Sequence, residues 1–282
     1  MKILTFDIEE WFHILDNSST KNVESWNKYE VRIFENTDRI LNFLSKKNLK
    51  ATFFILGWIA EKYPAVVKKI DKLGHEIGSH THYHQLMYEQ NKSQVHFDLE
   101  KSIQTLENIT GKKVTFFRAP GFSITEKNKW VFESLIENGI THDSSIFPTS
   151  RLHGGFPRFN NSTPTLINFK GAQLKEFPIN TYSLLNQKIV YSGGGYFRIC
   201  PYPLLRYFTK RSDYVMTYFH PRDFDSNQPM IHELPTRRKF KSYVGLKSSL
   251  RKLDKWTSDF QFFDLTTFDQ TIDWGATQTF TI

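Results

Sequence analysis

The sequence predicts an α/β fold in which short strands alternate with longer helices around a parallel sheet. Short apolar runs alternate with segments whose apolar residues recur at helical spacing. Glycine follows three of the helical segments, at Gly74, Gly111 and Gly139, where its conformational freedom suits a helix C-terminus. The length of 282 residues suits one large α/β domain. We therefore predict a single domain over residues 1–282.

The elements follow one another along the whole chain. The predicted strands are short apolar runs, namely Lys2–Asp7, Ala51–Leu56, His75–Ser79, Val114–Phe117, Ile140–Asp143 and Val215–Phe219. The predicted helices carry apolar residues at helical spacing, namely Val31–Leu44, Ile59–Leu73, Val95–Ile109, Glu126–Glu137 and Phe240–Leu253. Residues 148–196 are richer in Gly, Pro, Asn and Ser, and we expect an excursion of loops and short strands there. Residues 221–282 are expected to complete the domain.

The composition narrows the class of protein. Hydrophobic residues make up 39% of the chain and charged residues 23%, which is ordinary for a globular protein. The net charge of +8 arises from dispersed Lys and Arg residues, with no arginine-rich recognition helix and no finger-like Cys/His pattern. We therefore expect no nucleic-acid partner. The positive charge is interpreted as a solvated surface or, alternatively, as attraction to an anionic glycan, a nucleotide sugar or a membrane surface.

Aromatic residues make up 16% of the chain, including 26 Phe, and they either fill the core or line a groove that stacks on sugar rings. The only cysteine, Cys200, excludes an internal disulfide. No stretch approaches the apolar length of a membrane span. The first residues lack the apolar run and the cleavage site of a signal peptide. We expect a cytoplasmic location.

Two polar motifs directly follow predicted strands. Asp7 and Glu9 lie two residues apart where the first strand ends, so an extended backbone would place both carboxylates on one side. His80 and His84 lie four residues apart after the third strand, so a helical turn or tight loop would bring both imidazoles onto one ion, with His82 directed elsewhere. Two histidines and one carboxylate leave open positions for water and substrate, as in catalytic metal sites.

Two further motifs also follow strands. Arg118 could pair with a carboxylate base, and Gly121 could offer its backbone N–H to a ligand oxygen. His220 ends the strand Val215–Phe219 and is a candidate general acid. In a parallel sheet, active sites form at the edge where the carboxyl ends of the strands meet. We therefore expect all four motifs at one edge, although each one alone could be an ordinary polar turn.

These four motifs, in this order, resemble those of the polysaccharide deacetylases of carbohydrate esterase family 4, the NodB-homology domain. The element His80-Thr-x-x-His84 is the most specific part, and Arg118-Ala-Pro120 supports it. The resemblance extends from about Met1 to His220. It implies a distorted (β/α) barrel with fewer strand units than a full eight.

The resemblance also implies roles for the catalytic residues. Asp7 resembles the family's catalytic base, and Arg118 resembles the residue that steadies this base. His220 resembles the general acid. The N–H group of Gly121 is similar in position to the backbone amide with which the family often stabilises the oxyanion.

The metal ligands show one departure from the family. His80 and His84 resemble the metal-binding histidines, but many members have two adjacent aspartates at the first motif, where this chain has Ile8 after Asp7. We expect Glu9 to be the third ligand, with Glu10 as the competing carboxylate. The implied cofactor is one divalent metal ion, zinc first, with cobalt, nickel, iron or manganese as alternatives.

Five residues are predicted to contact substrate. The segment around Asp143 falls where the family's fourth motif should be but lacks its Asp-Trp pair, so Asp143 is expected to tune the general acid or contact substrate. A glycine-rich segment with Tyr196 and Arg198 resembles one in deacetylases found near bacterial exopolysaccharide gene clusters; a plain glycine turn is the open alternative. Trp11, Phe122 and Tyr196 are expected either to stack on sugar rings or to pack as ordinary core residues.

The predicted function is metal-dependent hydrolysis that removes an N-acetyl group from a sugar of a bacterial surface glycan or its precursor. Two alternatives remain open. The same site could act on a small non-sugar amide or cyclic imide, or the chain could be a catalytically inactive glycan-binding relative.

Overall fold

The computed structural model describes residues 1–15, 17, 19–151, 153–185 and 187–282. Its strands are β1 (Lys2–Ile3), β2 (Thr5–Ile8), β3 (Thr52–Ile55), β4 (Glu76–Ser79), β5 (Phe116–Phe117), β6 (His142–Asp143), β7 (Thr165–Phe169), β8 (Ala172–Glu176), β9 (Tyr182–Leu184), β10 (Gln187–Ile189), β11 (Val215–Met216), β12 (Phe262–Phe263) and β13 (Thr279–Thr281). Its helices are α1 (Ile33–Lys47), α2 (Gly57–Lys62), α3 (Pro64–Lys72), α4 (Lys92–Thr110), α5 (Val131–Glu137), α6 (Gly194–Ile199), α7 (Tyr202–Lys210), α8 (Thr236–Tyr243), α9 (Leu246–Asp259) and α10 (Leu265–Asp269).

The main sheet has the strand order β13-β7-β8-β6-β5-β4-β3-β2. Strands β2, β3, β4, β5, β6 and β8 are neighbours in this order and every pair among them is parallel. The pair β7–β8 is antiparallel. All residues of β2 and β3 are buried, as expected for parallel strands covered on both faces. The carboxyl ends of β2 to β6 therefore lie along one edge.

The first segment of the chain also closes the structure on its other side. β1 pairs in parallel with β11 and β12. Beyond β1, the N–H of Asp7 donates to the carbonyl of Phe219 at 2.7 Å, and the N–H of Phe219 donates to the carbonyl of Thr5 at 3.2 Å. The segment that ends at His220 therefore runs beside β2, opposite β3. The sheet curves into an incomplete barrel, which confirms the predicted α/β barrel architecture.

Two of the predicted helices are interrupted by proline or glycine, and helices α6, α7 and α10 were not predicted. The predicted helix Ile59–Leu73 is two helices, α2 and α3, because Pro64 begins a new helix. The predicted helix Phe240–Leu253 is likewise split into α8 and α9 at Gly245, whose φ of 72° is left-handed. Both breaks shift helix ends and leave the strand edge unchanged.

The segment 148–196 contributes more than the predicted excursion. It contains β7 to β10, and β8 pairs with β6 as the next parallel strand of the main sheet. The side-chain amide oxygen of Asn180 accepts a 2.9 Å hydrogen bond from the backbone N–H of Met216, which links this segment to β11. No helix among the described residues has the length and apolar content needed to cross a bilayer.

Candidate active site and metal centre

The four predicted motifs meet at the carboxyl edge of the strands. A pocket there is lined by Asp7 and Glu9 from the end of β2, by His80 and His84 after β4, and by His220. The parallel register explains the convergence, because each motif leaves its strand at the same edge.

Glu9, His80 and His84 form a cluster that could hold a metal ion. All three are buried, and one ligand atom from each lies within 4.8 Å of the others. Nε2 of His84 lies 3.0 Å from Oε2 of Glu9. Nδ1 of His80 lies 2.7 Å from the carbonyl oxygen of Arg118, which leaves Nε2 of His80 as the nitrogen with a free lone pair.

A tight loop brings His84 back toward His80. Thr81 and His84 both have left-handed backbone angles, with φ of 67° and 55°. The carboxylate of Asp98 accepts the backbone N–H groups of His82 and Tyr83 at 2.7 and 3.0 Å. This buried carboxylate holds the turn and makes up for its unfavourable backbone conformation.

Two neighbouring residues lie outside the cluster. Nε2 of His82 faces Oε2 of Glu61 at 3.0 Å, so this histidine is directed elsewhere, as expected. Glu10 accepts the backbone N–H groups of Arg32 and Ile33 at 2.8 and 2.9 Å, so its carboxylate anchors the start of α1. The structure thus brings Glu9, and not Glu10, to the two histidines.

The cluster has the charge states that a cation site requires. Burial opposes the ionisation of Glu9, but His84 and His220 outweigh it and hold the pKa of Glu9 well below its usual value. Burial lowers the pKa of His80 to about 4, which keeps the imidazole neutral at pH 7. One carboxylate oxygen and two imidazole nitrogens are donors that suit zinc and related divalent metals, so these residues fit the implied ion.

Asp7 is held by a fully buried arginine. Nη1 of Arg118 lies 2.7 Å from Oδ1 of Asp7 and 2.8 Å from Oγ1 of Thr5. The guanidinium also donates to the carbonyl and the hydroxyl of Ser144 and stacks over the ring of Phe54 at 4.3 Å. One carboxylate oxygen of Asp7 is therefore occupied, and Oδ2 faces the pocket and His220.

His220 lies between the carboxylates and a supporting acid. Its Nε2 lies 3.1 Å from Oε1 of Glu9 and 3.8 Å from Oδ2 of Asp7. Its Nδ1 lies 3.1 Å from Oδ2 of Asp223, whose Oδ1 faces Nε of Arg198 at 3.0 Å. Burial disfavours the imidazolium, but Glu9 and Asp223 raise the pKa of His220 to about 9. This histidine therefore carries a proton at pH 7.

Sequence reasoning missed Asp223. It follows His220 by three residues in a short 3₁₀ turn, Pro221–Phe224, that also bonds its carboxylate to the backbone N–H of His220 at 2.9 Å. Burial opposes its ionisation, but Arg198 and His220 lower the pKa of Asp223 to about 2. The sequence signal that could have identified Asp223 is its position, three residues after a candidate acid–base histidine.

Gly121, Phe122 and Tyr196, which are predicted to stabilise the oxyanion or contact substrate, line the pocket. The φ of Gly121 is 60°, and a Cβ there would lie 2.7 Å from Cδ1 of Leu15, so this position favours glycine. Their functional roles stay predictions.

The other three predicted substrate residues have structural partners. The indole of Trp11 donates to the carbonyl of Glu30 at 2.9 Å and does not line the pocket, so the expected sugar stacking is not supported there. Arg198 lines the pocket but pairs with Asp223 and donates to three backbone carbonyls of residues 241–244, so it supports the general acid instead of facing substrate.

Asp143 lies beneath the pocket and not in it. It is buried and shares a hydrogen bond with Glu176. Asp143 therefore neither contacts substrate nor tunes His220, the two roles predicted from the sequence. Burial raises the pKa of Asp143 to about 6 and, together with Asp143, raises the pKa of Glu176 well above its usual value. The pair therefore binds protons near neutral pH.

The chain is similar to known glycan deacetylases. Residues 4–136 match the family model described as polysaccharide deacetylase, and residues 144–270 match a domain of unknown function, DUF3473. The chain is 37% identical over 116 residues to a peptidoglycan-N-acetylglucosamine deacetylase of Bacillus cereus, a match that covers 38% of this chain and 42% of that protein. The chain therefore spans less than half the length of this relative.

Solved structures show the same fold at low sequence identity. A crystal structure of a candidate polysaccharide deacetylase from Mycobacterium smegmatis superimposes with a TM-score of 0.66 at 15% identity, covering 100% of this chain and 92% of that one. A family 4 pseudoenzyme from Bacillus anthracis superimposes with a TM-score of 0.51 at 15% identity, covering 95% and 64%. The matched model, the strand-edge motifs and the shared distorted (β/α) barrel lead to one conclusion: the chain carries a polysaccharide deacetylase domain over residues 4–136 and has the fold of carbohydrate esterase family 4.

Proposed function

We propose that the chain is a metal-dependent deacetylase that hydrolyses the acetamido group of a sugar in a bacterial surface glycan or its precursor, with an exopolysaccharide as the first glycan to test. One observation carries the proposal. Asp7 and His220 lie in the same pocket as the Glu9, His80 and His84 cluster, with Oδ2 of Asp7 and Nε2 of His220 3.8 Å apart. Amide hydrolysis needs a base for water and an acid for the departing amine, and this pair offers both.

Glu9, His80 and His84 would hold the metal ion. When bound, a divalent ion there would act as a Lewis acid toward the acyl oxygen and the attacking water. Zinc is our first choice, and cobalt, nickel, iron or manganese would suit the same donors.

Asp7 is proposed to take the proton of the attacking water. Arg118 donates to its Oδ1, so Oδ2 is the oxygen that stays directed into the pocket. Because Arg118 is buried and bonded on several sides, it also limits rotation of the carboxylate.

His220 is proposed to protonate the amine nitrogen as the C–N bond breaks. Asp223 accepts the Nδ1 proton, so Nε2 is the nitrogen aimed at the pocket. The N–H of Gly121, at the pocket wall, is proposed to stabilise the oxyanion that forms at the acyl oxygen.

The experiment is a panel assay that follows released acetate for the N-acetylated substrates and ring opening for the cyclic imides. The metal-loaded protein is incubated with an N-acetylated exopolysaccharide, with N-acetylglucosamine oligomers, with peptidoglycan fragments and with small non-sugar amides and cyclic imides. We expect acetate from sugar substrates, loss of the activity with a chelator and its recovery with zinc. Activity confined to small amides or imides would show that the substrate is a small non-sugar amide or imide and not a sugar. Metal binding without any hydrolysis would indicate an inactive glycan-binding protein.

The cytoplasmic location expected from the sequence remains part of the proposal. Fractionation of the native host, with detection of the full-length protein, tests it.

A further inference from the structure

The pocket around the proposed catalytic groups is lined by more cations than anions. Its acidic side chains are Asp7, Glu9 and Asp223. Its cationic side chains are Arg151, Arg198, Arg222, Arg238 and Lys241.

All three acids already have partners. Asp7 pairs with Arg118, which lies behind the pocket, and Glu9 contacts His84. Asp223 pairs with Arg198 and so neutralises one of the five cations. Among the ion pairs between described residues, none involves the other four.

Arg151 is held by aromatic rings, and one of its guanidinium nitrogens has no hydrogen-bond partner among the described residues. Its guanidinium lies 4.4 Å from the ring centre of Phe147, 4.9 Å from that of Phe122 and 5.7 Å from that of Tyr218. Stacking holds the guanidinium plane and leaves its N–H edge available. Nη1 is buried and has no hydrogen-bond partner within the described part of the chain.

Arg222 shows the same incomplete bonding. Its Nη1 donates to the carbonyl of Trp11 at 3.1 Å, which anchors the side chain beside the His220 turn. Its Nη2 is buried and likewise lacks a partner among the described residues. A buried donor without a partner has lost its hydrogen bonds to water without replacing them, so two such donors in one pocket favour a ligand that would accept their hydrogen bonds.

The helix α8 brings two more cations to the same pocket. Arg238 and Lys241 are three residues apart, so they lie on one face of this helix. Arg238 donates to the carbonyl of Leu15 at 3.0 Å, and Lys241 donates to the hydroxyl of Tyr196 at 3.1 Å. Both contacts are to neutral groups, so neither cation is neutralised.

The pocket is also small. Its volume is about 200 Å³, below the roughly 300 Å³ at which pockets begin to enclose drug-sized ligands. A glycan would therefore place one sugar near the catalytic groups. Its next unit would extend along the side of the pocket that carries Arg151, Arg222, Arg238 and Lys241, the cationic wall.

We propose that Arg151, Arg222 and Arg238 form a subsite for an oxyanion, a carboxylate or a phosphate, carried by the unit next to the N-acetylated sugar. This inference rests on the proposed function, because it places the acetamido group at Asp7 and His220. The oxyanion of an acidic glycan would give the unpaired guanidinium donors charge-assisted hydrogen bonds, whereas a neutral glycan would offer them only hydroxyl or carbonyl oxygens.

The test compares affinity for three probes in the metal-loaded Asp7→Asn variant, so that the ligand is not consumed. The probes are a neutral N-acetylglucosamine tetrasaccharide, a tetrasaccharide of alternating N-acetylglucosamine and glucuronic acid, and UDP-N-acetylglucosamine. We expect at least one acidic probe to bind about tenfold tighter than the neutral one, because a charge-assisted hydrogen bond contributes about 1.5–3 kcal/mol. Tighter binding of the uronate probe identifies a carboxylate, and tighter binding of the nucleotide sugar identifies a phosphate.

Two variants and a matched control identify the residues. Arg238→Gln and Arg151→Gln should each remove most of the preference for the acidic probe. Arg237→Gln makes the same charge change on α8 at an exposed position outside the pocket and should keep it. Equal affinity for all three probes, or an equal loss in Arg237→Gln, would overturn the subsite.

The proposed function is tested separately on the wild-type protein. Acetate release from the neutral tetrasaccharide with no affinity preference would leave the deacetylase intact and reject the subsite. Preferential binding of an acidic probe without acetate release from any probe would support the subsite and reject the deacetylase.

Discussion

Oδ2 of Asp223 lies 3.1 Å from Nδ1 of His220 and 2.9 Å from its backbone nitrogen. The same acid contacts Arg198, which the C-terminal segment holds through backbone carbonyls of residues 241–244. His220 is therefore held by a chain of contacts that begins far outside its own strand.

Replacing Asp223 should impair the proposed general acid without removing it. We expect Asp223→Asn to lower kcat by about 10- to 100-fold with little change in KM, as for other residues that orient a catalytic group. Because the carboxylate raises the pKa of His220, its loss should also move the high-pH limb of the rate profile to lower pH. Steady-state kinetics across pH measure both effects, with exposed Asp213→Asn as the control. A fall in kcat without a shift of the high-pH limb of the rate profile would indicate that Asp223 has only a structural role.

Replacing Asp7 should separate catalysis from metal binding. Asp7 lies beside the Glu9, His80 and His84 cluster and is not part of it. We expect Asp7→Asn to keep a full equivalent of metal and to lower kcat by about 10²- to 10⁴-fold, because the proposed base is lost. Elemental analysis and acetate release measure the two quantities. Undiminished turnover would reject Asp7 as the base.

Replacing His80 should have the opposite effect on the metal. His80→Ala removes one of the three clustered donors, so we expect the bound metal to fall well below one equivalent. His96→Ala, on the exposed surface of α4, is the matched control and should bind metal normally. Full metal content in His80→Ala, measured by elemental analysis, would contradict the ligand set.

The buried acids Asp143 and Glu176 should make stability depend on pH. Their folded-state pKa values are raised, so their contribution is complete below the unfolded values near pH 4 and is lost progressively as pH rises from there through the folded values. Glu176→Gln keeps the oxygen that accepts the N–H of Ile146 and needs no proton. We expect this variant to gain about 1–3 kcal/mol over the wild type at pH 8 and little at pH 4.

Urea unfolding at the two pH values measures this gain. The exposed Glu233→Gln is the control and should show no pH-dependent difference from the wild type. A gain of equal size at both pH values would mean that folding does not raise the pKa of Glu176.

Local sequence was sufficient for the parts of the site that follow strands directly. The carboxyl ends of parallel strands share one edge, so placing Asp7, His80, Arg118 and His220 after strands also placed them near one another. The same reasoning could not predict whether a residue at or beyond the end of a strand faces the pocket or another part of the fold. Trp11 and Asp143 follow or end strands like the other motif residues, yet side-chain partners elsewhere in the fold hold them away from the pocket.

The parallel α/β class and the placement of the two histidines and the first aspartate at strand ends were predictable from the sequence itself, because periodicity and strand-end position are local properties. The barrel was implied by the family resemblance. The choice of Glu9 over Glu10 was decided only by the tertiary structure. The difference between them is that Glu10 accepts backbone N–H groups at the start of α1, whereas Glu9 meets His84 from another strand. The cationic wall was decided in the same way, because α8 reaches the pocket only when the C-terminal segment folds back over it, and no local pattern records such a contact.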